Sequence, residues 1–96
     1  MAELLDDRHI EEGLTGLEGW TREGDAIVRD LKLPDFAAAI AFVNVVAAAA
    51  EAAGHHPDIL VHGWNRVRLT LSTHSAGGLT QADLDLAGTL DRLAAG

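Results

Sequence analysis

The stretch from Phe36 to Ala53 constrains the fold more than any other, because it carries the strongest helix signal in the chain. Two neighbouring apolar stripes recur at helical spacing, formed by Phe36, Ile40, Val43, Ala47 and Ala50 and by Ala39, Phe42 and Val46. Pro34 and Asp35 suit the start of this helix, and Gly54 stands where a left-handed residue ends one. A helix that is apolar on most sides is covered on most sides. We therefore expect one face to lie on a sheet and the other on a second helix or a second subunit.

A pair of strands is predicted on each side of this helix. Upstream, a strand begins at Trp20, turns at Glu23-Gly24-Asp25 and continues as a second strand from Ala26 to Leu33. Downstream, Ile59 and Val61 predict a short strand. Residues 66–74 then alternate apolar and polar side chains, with His74 on the polar side at the strand end.

Two further helices are predicted near the ends of the chain. The first covers about residues 3–15, where Gly13 weakens the helix by about 1 kcal/mol relative to alanine. The second begins at Thr80-Gln-Ala-Asp83, which resembles a capping box, and ends near Ala95. The order helix, two strands, helix, two strands, helix indicates an α+β fold in which helices pack on one face of an antiparallel sheet. We expect a single domain over residues 1–96.

Charge and composition exclude several function classes. The 15 acidic and 7 basic side chains give a formal charge of -8, which repels phosphate backbones and argues against direct nucleic-acid binding. The absence of cysteine excludes disulfides, thiolate zinc sites and a cysteine nucleophile. The acidic N-terminus lacks a signal-peptide pattern, and the apolar run 36–50 is interrupted by Asn44, so we expect a cytoplasmic protein without a membrane span. Hydrophobic residues make up 48% of so short a chain, which favours a homo-oligomer.

The sequence His55-His56-Pro57 follows the C-terminus of the central helix and suits proton transfer. The negative end of the helix dipole and the carboxylate of Glu51 both favour an imidazolium there. Glu51 is four positions before His55 and is placed to orient it. The alternative is a surface turn with two solvated histidines, and the pair taken alone favours that alternative.

A second group of candidate residues follows the last predicted strand. His74 ends that strand, and Thr73 with the backbone around Ser75 and Ala76 suits a flat polar heterocycle. Asp83 has a structural explanation as the fourth residue of the capping box, so a role in a site would be additional. We expect Trp20 and Trp64 to be core or turn aromatics, and His9 and His62 to be solvated.

A metal site is the competing interpretation of His55, His56 and His74. These residues lack the i, i+4 histidine spacing on one helix that marks many zinc sites. Adjacent side chains also diverge, so His55 and His56 are poorly placed to share a metal ion. We therefore expect no metal, and a metal-dependent hydrolase is the weakest of the functions considered.

Together these residues resemble the pterin-4a-carbinolamine dehydratase family over nearly the whole chain. The matching motifs are Glu51-x-x-x-His55-His56-Pro57, Trp64-Asn65-x-Val67-x-Leu69-x-Leu71-Ser72-Thr73-His74 and Gly78-Leu79-Thr80-x-x-Asp83, with Gly19-Trp20 and the helix containing Phe36 and Phe42 upstream. The two histidine motifs at this separation are specific, whereas each alone is a weak signal. The resemblance implies a four-stranded antiparallel sheet with helices on one side.

The resemblance also implies a function. The substrate is a 4a-hydroxytetrahydropterin, released by aromatic amino acid hydroxylases, and loss of water gives quinonoid dihydropterin without a metal or an organic cofactor. By this resemblance, His55 and His74 are expected to serve as acid–base groups, and His56 to bind the substrate and assist. Further implied site residues are Glu51 and Asp83, which orient imidazoles, and Trp20 and Pro57, which line the pocket.

A non-catalytic interaction module is the alternative function. Some members of the family act as dimerisation partners of a transcription factor, in the manner of a transcriptional coactivator. The apolar helix 36–50 suits such a helix-mediated interface. The acidic charge implies that any regulatory role acts through protein and not through DNA.

Overall fold

The computed structural model describes residues 3–95, and the helices and strands follow the predicted order. They are α1 (Asp7–Thr15), β1 (Trp20–Glu23), β2 (Ala26–Lys32), α2 (Phe36–Ala53), β3 (Asp58–His62), β4 (Arg66–Leu71), a 3-10 turn (His74–Ala76) and α3 (Gln81–Ala95). The four strands form one antiparallel sheet in the order β1-β2-β4-β3. The predicted α+β class and element order are therefore confirmed.

The alternation of side chains along the strands determines which face of the sheet forms the core. Ile27 lies opposite Leu71, and Ile59 lies opposite Leu69, in the registers of β2 and β3 with β4. Ile27, Leu69 and Leu71 are fully buried, together with Val67. The opposite face carries exposed polar residues such as Asp30 and Lys32. All three helices add residues to the core on the inner face, among them Ile10, Val46, Leu86 and Leu90.

Capping groups set where the helices begin and end. Asp35 accepts a hydrogen bond of 2.8 Å from the amide of Ala38, and Gly54 adopts a left-handed φ of 64°, as expected for the two ends of α2. The helix predicted from about residue 3 begins later, at Asp7, because Asp6 is the N-cap and accepts from the His9 amide at 2.9 Å. His9 is exposed as expected, but its imidazole also contacts Asp6 at 2.6 Å. The hydrogen bond to that carboxylate raises the pKa of His9 above its ordinary value.

The strand predicted over residues 66–74 is shorter in the structure and ends at Leu71. Thr73 forms an isolated bridge with Gly78, and the chain between them winds into the 3-10 turn. His74 therefore begins a turn instead of ending a strand. Gly77 has a φ of 79°, which a glycine adopts without steric cost, so it allows the chain to reverse there.

One side of α2 is exposed within the monomer. Ala39, Val46 and Ala50 pack into the core, whereas Phe36 and Ile40, one turn apart, remain 55% and 37% exposed. The helix has 18 residues with a mean hydropathy of 1.9, so by length and composition alone it is apolar enough to cross a membrane. Its fully buried alanines and valine form part of the core, but only 17% of the helix is buried in one chain.

Candidate active site

The C-terminus of α2 directs the two adjacent histidines to different environments. The amide of His55 donates to the carbonyl of Ala50 at 3.2 Å, which closes the helix around the left-handed Gly54. The side chain of His55 is only 16% exposed, whereas that of His56 is 63% exposed. Sequence analysis assigned Glu51 to His55, but the Glu51 carboxylate instead contacts His56 Nε2 at 2.6 Å. The side chains of His55 and His56 point in different directions, so the Glu51 carboxylate contacts only the imidazole of His56.

The partner of His55 is Asp83, in the first turn of α3. His55 Nε2 and Asp83 Oδ1 are 2.5 Å apart, and the side chain of Asp83 is completely buried. The other carboxylate oxygen, Oδ2, accepts from the Thr73 hydroxyl at 2.8 Å and from the Thr80 amide at 2.9 Å. Asp83 therefore caps α3 and holds His55 at the same time, with one oxygen for each task.

A threonine pair completes this buried cluster, which we call the Asp83 network and define as His55, Thr73, Thr80 and Asp83. The hydroxyl oxygens of Thr73 and Thr80 are 2.8 Å apart. Thr73 is 8% exposed and Thr80 is 1% exposed. In the described part of the chain, every buried side-chain nitrogen or oxygen has a hydrogen-bond partner. Such a fully satisfied polar cluster is rigid, because moving any member leaves a buried group unpaired.

The Asp83 network brings the two histidine motifs into one neighbourhood. Thr73 contacts Asp83, and the next residue, His74, begins the exposed 3-10 turn with Ser75. The exit of α2 and the exit of β4 are thus joined through a single carboxylate. Thr73 differs from our expectation of a substrate contact, since its hydroxyl and its backbone amide are both engaged within the protein.

A groove with a volume of about 430 Å³ lies beside His55, between the C-terminal half of α2 and the first turns of α3. Its lining is largely apolar on the α2 side and includes carboxylate and hydroxyl groups on α3: Ala49, Ala52, Ala53, His55, Ala82, Asp85, Leu86 and Thr89. His55 therefore lines an accessible, partly apolar groove that is large enough for a small heterocycle.

Trp20 lies in a different polar cluster, towards the other end of α3. Its indole N–H donates to Asp91 at 2.7 Å, and the ring is 5% exposed. Arg29 pairs with the same carboxylate, which also accepts from the Glu18 amide at 2.9 Å. Asp91 is eight residues after Asp83, or about 12 Å along the helix axis. The engaged N–H leaves only the ring carbons of Trp20 for a substrate contact.

Trp64 and His62 lie at or just after the end of β3, and both are exposed. Trp64 is 62% exposed in the turn between β3 and β4, with a φ of 58°. His62 is exposed at the end of β3. Among residues 3–95 there is no cluster of three or more His, Cys, Asp or Glu side chains arranged to hold a metal ion. Pro57 is half-buried directly after His56.

Sequence analysis does not single out the Thr80 hydroxyl. A threonine before a helix is expected to cap the first turn, so the sequence gives no reason to expect another partner for its hydroxyl. In the structure the hydroxyl contacts Thr73 and not a helix amide. The pairing of Thr80 with Thr73 depends on the turn between them, so no spacing rule for helices or strands would have revealed it.

Comparisons with known proteins identify the family of this chain. The family model described as pterin 4 alpha carbinolamine dehydratase matches residues 3–93. A protein from Roseiflexus castenholzii, named "Putative pterin-4-alpha-carbinolamine dehydratase", is 57% identical over 93 residues, covering 97% of this chain and 99% of that protein. A relative of the same name from Nocardia farcinica is 56% identical over 92 residues, covering 96% of each chain.

Solved structures show the same fold. The crystal structure of a transcriptional coactivator/pterin dehydratase from Brucella melitensis superposes with a TM-score of 0.88 at 36% identity, covering 94% of this chain and 97% of that one. A pterin dehydratase-like protein described as a RuBisCO assembly factor in the alpha-carboxysome gives a TM-score of 0.67 at 28% identity, covering 80% and 90%. The chain therefore belongs to the pterin-4-alpha-carbinolamine dehydratase family of hydro-lyases.

Proposed function

We propose that this protein removes water from a 4a-hydroxytetrahydropterin by histidine acid–base catalysis and so returns the pterin to a form that can be reduced again. One imidazolium donates a proton to the hydroxyl on C4a, the C4a–O bond breaks, and water leaves. The lone pair of a ring nitrogen forms the new C=N bond. A second imidazole accepts the ring N–H proton, which gives quinonoid dihydropterin.

The observation that carries this proposal is the contact between His55 Nε2 and the buried carboxylate of Asp83 beside an open groove. A carboxylate that fixes one ring nitrogen leaves the other free to exchange a proton with a bound molecule. Thr73 bonds Asp83 and directly precedes His74, which is exposed and does not line this groove, so we assign the second imidazole to His74 on its place in the chain.

We assign separate roles to the site residues. His55 and His74 exchange protons with the substrate, His56 binds it and assists, and Glu51 and Asp83 orient imidazoles. Pro57 restricts the backbone next to His56, and Ser75 and Ala76 offer turn backbone to a flat polar ring. Because imidazoles perform both proton transfers near neutral pH, the proposal includes neither a metal nor an organic cofactor.

The test follows loss of the absorbance of a freshly generated 4a-hydroxytetrahydropterin. We expect the wild-type protein to accelerate this loss over the spontaneous reaction, and we expect His74→Ala or His55→Ala to remove about 10²–10⁴-fold of that acceleration. His62→Ala is the matched control, since His62 is an exposed histidine at the end of β3, and it should retain the wild-type rate. An unchanged rate on adding wild-type protein would reject the proposal, and activity that disappears on exhaustive chelation would reject its metal-free chemistry.

A second candidate function is that of a protein-interaction module. The observation that favours it is an exposed apolar patch on α2, where Phe36 and Ile40, one turn apart, are 55% and 37% exposed. Such a surface suits another copy of this chain or a helix of a transcription factor. The names of the two structural neighbours include coactivator and assembly-factor roles. Measuring the mass in solution with and without a candidate partner tests this function, and a monomer that binds no partner would reject it.

A further inference from the structure

We propose that Thr80 is a positioning residue whose hydroxyl acts through Thr73 and Asp83 to hold the His55 hydrogen on Nε2, so that Nδ1 is the nitrogen that exchanges a proton with the substrate. The inference rests on the proposed dehydratase function and adds two things to it. It identifies the reacting atom of His55, and it assigns a role to a buried hydroxyl outside the residues that touch a substrate.

The direction of the hydrogen bonds follows from counting hydrogens. Each threonine hydroxyl has a single hydrogen to donate. The hydroxyl of Thr73 donates its hydrogen to Asp83 Oδ2 at 2.8 Å. The hydrogen between the two threonine oxygens, which are 2.8 Å apart, must therefore come from Thr80. The chain of donors runs from Thr80 to Thr73 to Asp83.

The same counting assigns the tautomer of His55. An ionised carboxylate has only acceptor sites, so the ring nitrogen 2.5 Å from Asp83 Oδ1 must be the donor. A neutral imidazole has one donor and one acceptor nitrogen. With hydrogen on Nε2, the acceptor of His55 is Nδ1. The two donors to Oδ2 stabilise the ionised carboxylate, which has no hydrogen of its own to offer to Nε2.

The Nδ1 atom is accessible to a bound molecule. Within residues 3–95, Nδ1 of His55 makes no hydrogen bond. Every buried side-chain nitrogen or oxygen in that range has a hydrogen-bond partner, so Nδ1 is not buried and is accessible to solvent. His55 also lines the groove of about 430 Å³ between α2 and α3. The two ring nitrogens thus face different environments, one a buried carboxylate and the other open space.

Local helix structure does not explain the Thr80 hydroxyl. The Thr80 amide is bound by Asp83 Oδ2, and the Thr80 carbonyl accepts from the Asp83 amide at 3.1 Å, so the backbone and the aspartate make the cap. The Thr80 side chain is 1% exposed, and valine would fill the same volume. A buried hydroxyl costs free energy unless it is bonded, so its presence here indicates a polar task, namely donation to Thr73.

The experiment is a double-mutant cycle on Thr73 and Thr80, with Thr70→Val as the matched control, since Thr70 is a half-buried threonine on β4 outside the Asp83 network. We expect Thr80→Val to lower the dehydration rate by about 3- to 10-fold, the effect of losing one internal hydrogen bond. Thr80→Ser should restore the wild-type rate. In a Thr73→Val background, Thr80→Val should cause no further loss, because the relay is already broken at Thr73.

The second readout is independent of activity. Nitrogen-15 chemical shifts of the neutral His55 ring should show hydrogen on Nε2 in the wild-type protein and in Thr70→Val, and a several-fold larger Nδ1–H fraction in Thr80→Val. Additive rate losses in the cycle, or a wild-type tautomer with hydrogen on Nδ1, would overturn the relay. An inactive wild-type protein that retains hydrogen on Nε2 would reject the dehydratase proposal and leave the relay standing.

Discussion

At the scale of single residues, Asp83 shows how one side chain serves the fold and the site together. Sequence analysis explains it as part of a capping box, and Oδ2 does bind the Thr80 amide at 2.9 Å. Oδ1 faces the other way and contacts His55 at 2.5 Å. A carboxylate has two oxygens with about two acceptor sites each, so the cap does not exhaust it. A structural explanation of a residue therefore does not exclude a functional one.

Replacing Asp83 with asparagine should separate these roles. The amide oxygen can still accept from Thr73 and Thr80, but the amide nitrogen would then face His55 Nε2 as a second donor. The ring must respond by moving its hydrogen to Nδ1, which removes the acceptor on the nitrogen that is accessible to solvent. We expect the dehydration rate of Asp83→Asn to fall by about 10²-fold or more.

The control for this change is Asp35→Asn, because Asp35 caps α2 and asparagine caps a helix as well as aspartate does. Steady-state rates and thermal unfolding of both variants provide the measurement. A wild-type rate in Asp83→Asn would show that the carboxylate only caps α3, whereas an unfolded variant would show that its charge is needed for the fold.

At the scale of helices and strands, Gly13 shows why a helix accepts a poor helix former. From sequence alone, glycine in α1 costs about 1 kcal/mol relative to alanine. In the structure a Cβ at position 13 would overlap Cδ1 of Leu84, which is 7% exposed and packs from α3. The missing side chain allows α1 and α3 to approach each other closely, so packing between helices outweighs helix propensity.

Gly13→Ala should therefore destabilise the protein, although alanine favours a helix. Overpacking of a buried contact costs about 1–3 kcal/mol, so we expect a net fall of about 1 kcal/mol in the free energy of unfolding. Urea unfolding followed by circular dichroism measures it. Gly16→Ala is the control, since the nearest atom to a Cβ there is the Gly13 carbonyl oxygen at 3.8 Å. An increase in stability for Gly13→Ala would contradict the packing argument.

At the scale of the whole molecule, the exposed side of α2 is an apolar surface that no other element of the same chain covers within residues 3–95. The sequence predicts that this helix is covered on most sides, but within one chain only 17% of it is buried. The inner side packs on the core through Ala39, Val46 and Ala50. The outer side carries large apolar residues that water solvates poorly, so we propose that a second copy of the chain covers it.

A charge placed on that side tests this assembly. Ala48 is exposed on α2, and Ala48→Glu keeps a good helix former while placing a carboxylate in any interface formed there. We expect the wild-type protein to have a mass in solution that is a multiple of 10.1 kDa, and we expect the variant to dissociate at about 10²-fold higher concentration. Sedimentation measures both, with Thr21→Glu on exposed β1 as the control. A wild-type mass of one chain would contradict the proposed assembly.

The sequence by itself determined the elements and the family. Hydrophobic periodicity, the Asp35 cap and the left-handed Gly54 act within a few residues, so the order of helices and strands and most of their ends were predictable. The less successful predictions were two element ends, the start of α1 at Asp7, which the Asp6 cap sets, and the early end of β4 at Leu71.

Only the tertiary structure decided which groups meet. Glu51 was expected to orient His55 but pairs with His56, Thr73 was expected to face a substrate but bonds Asp83, and Trp20 is held by Asp91. Each of these contacts depends on the direction of a side chain after a turn. Local patterns specify the path of the backbone, whereas hydrogen-bond partners in a buried cluster are chosen by the packing of separate elements and by the need to leave no buried polar atom unpaired.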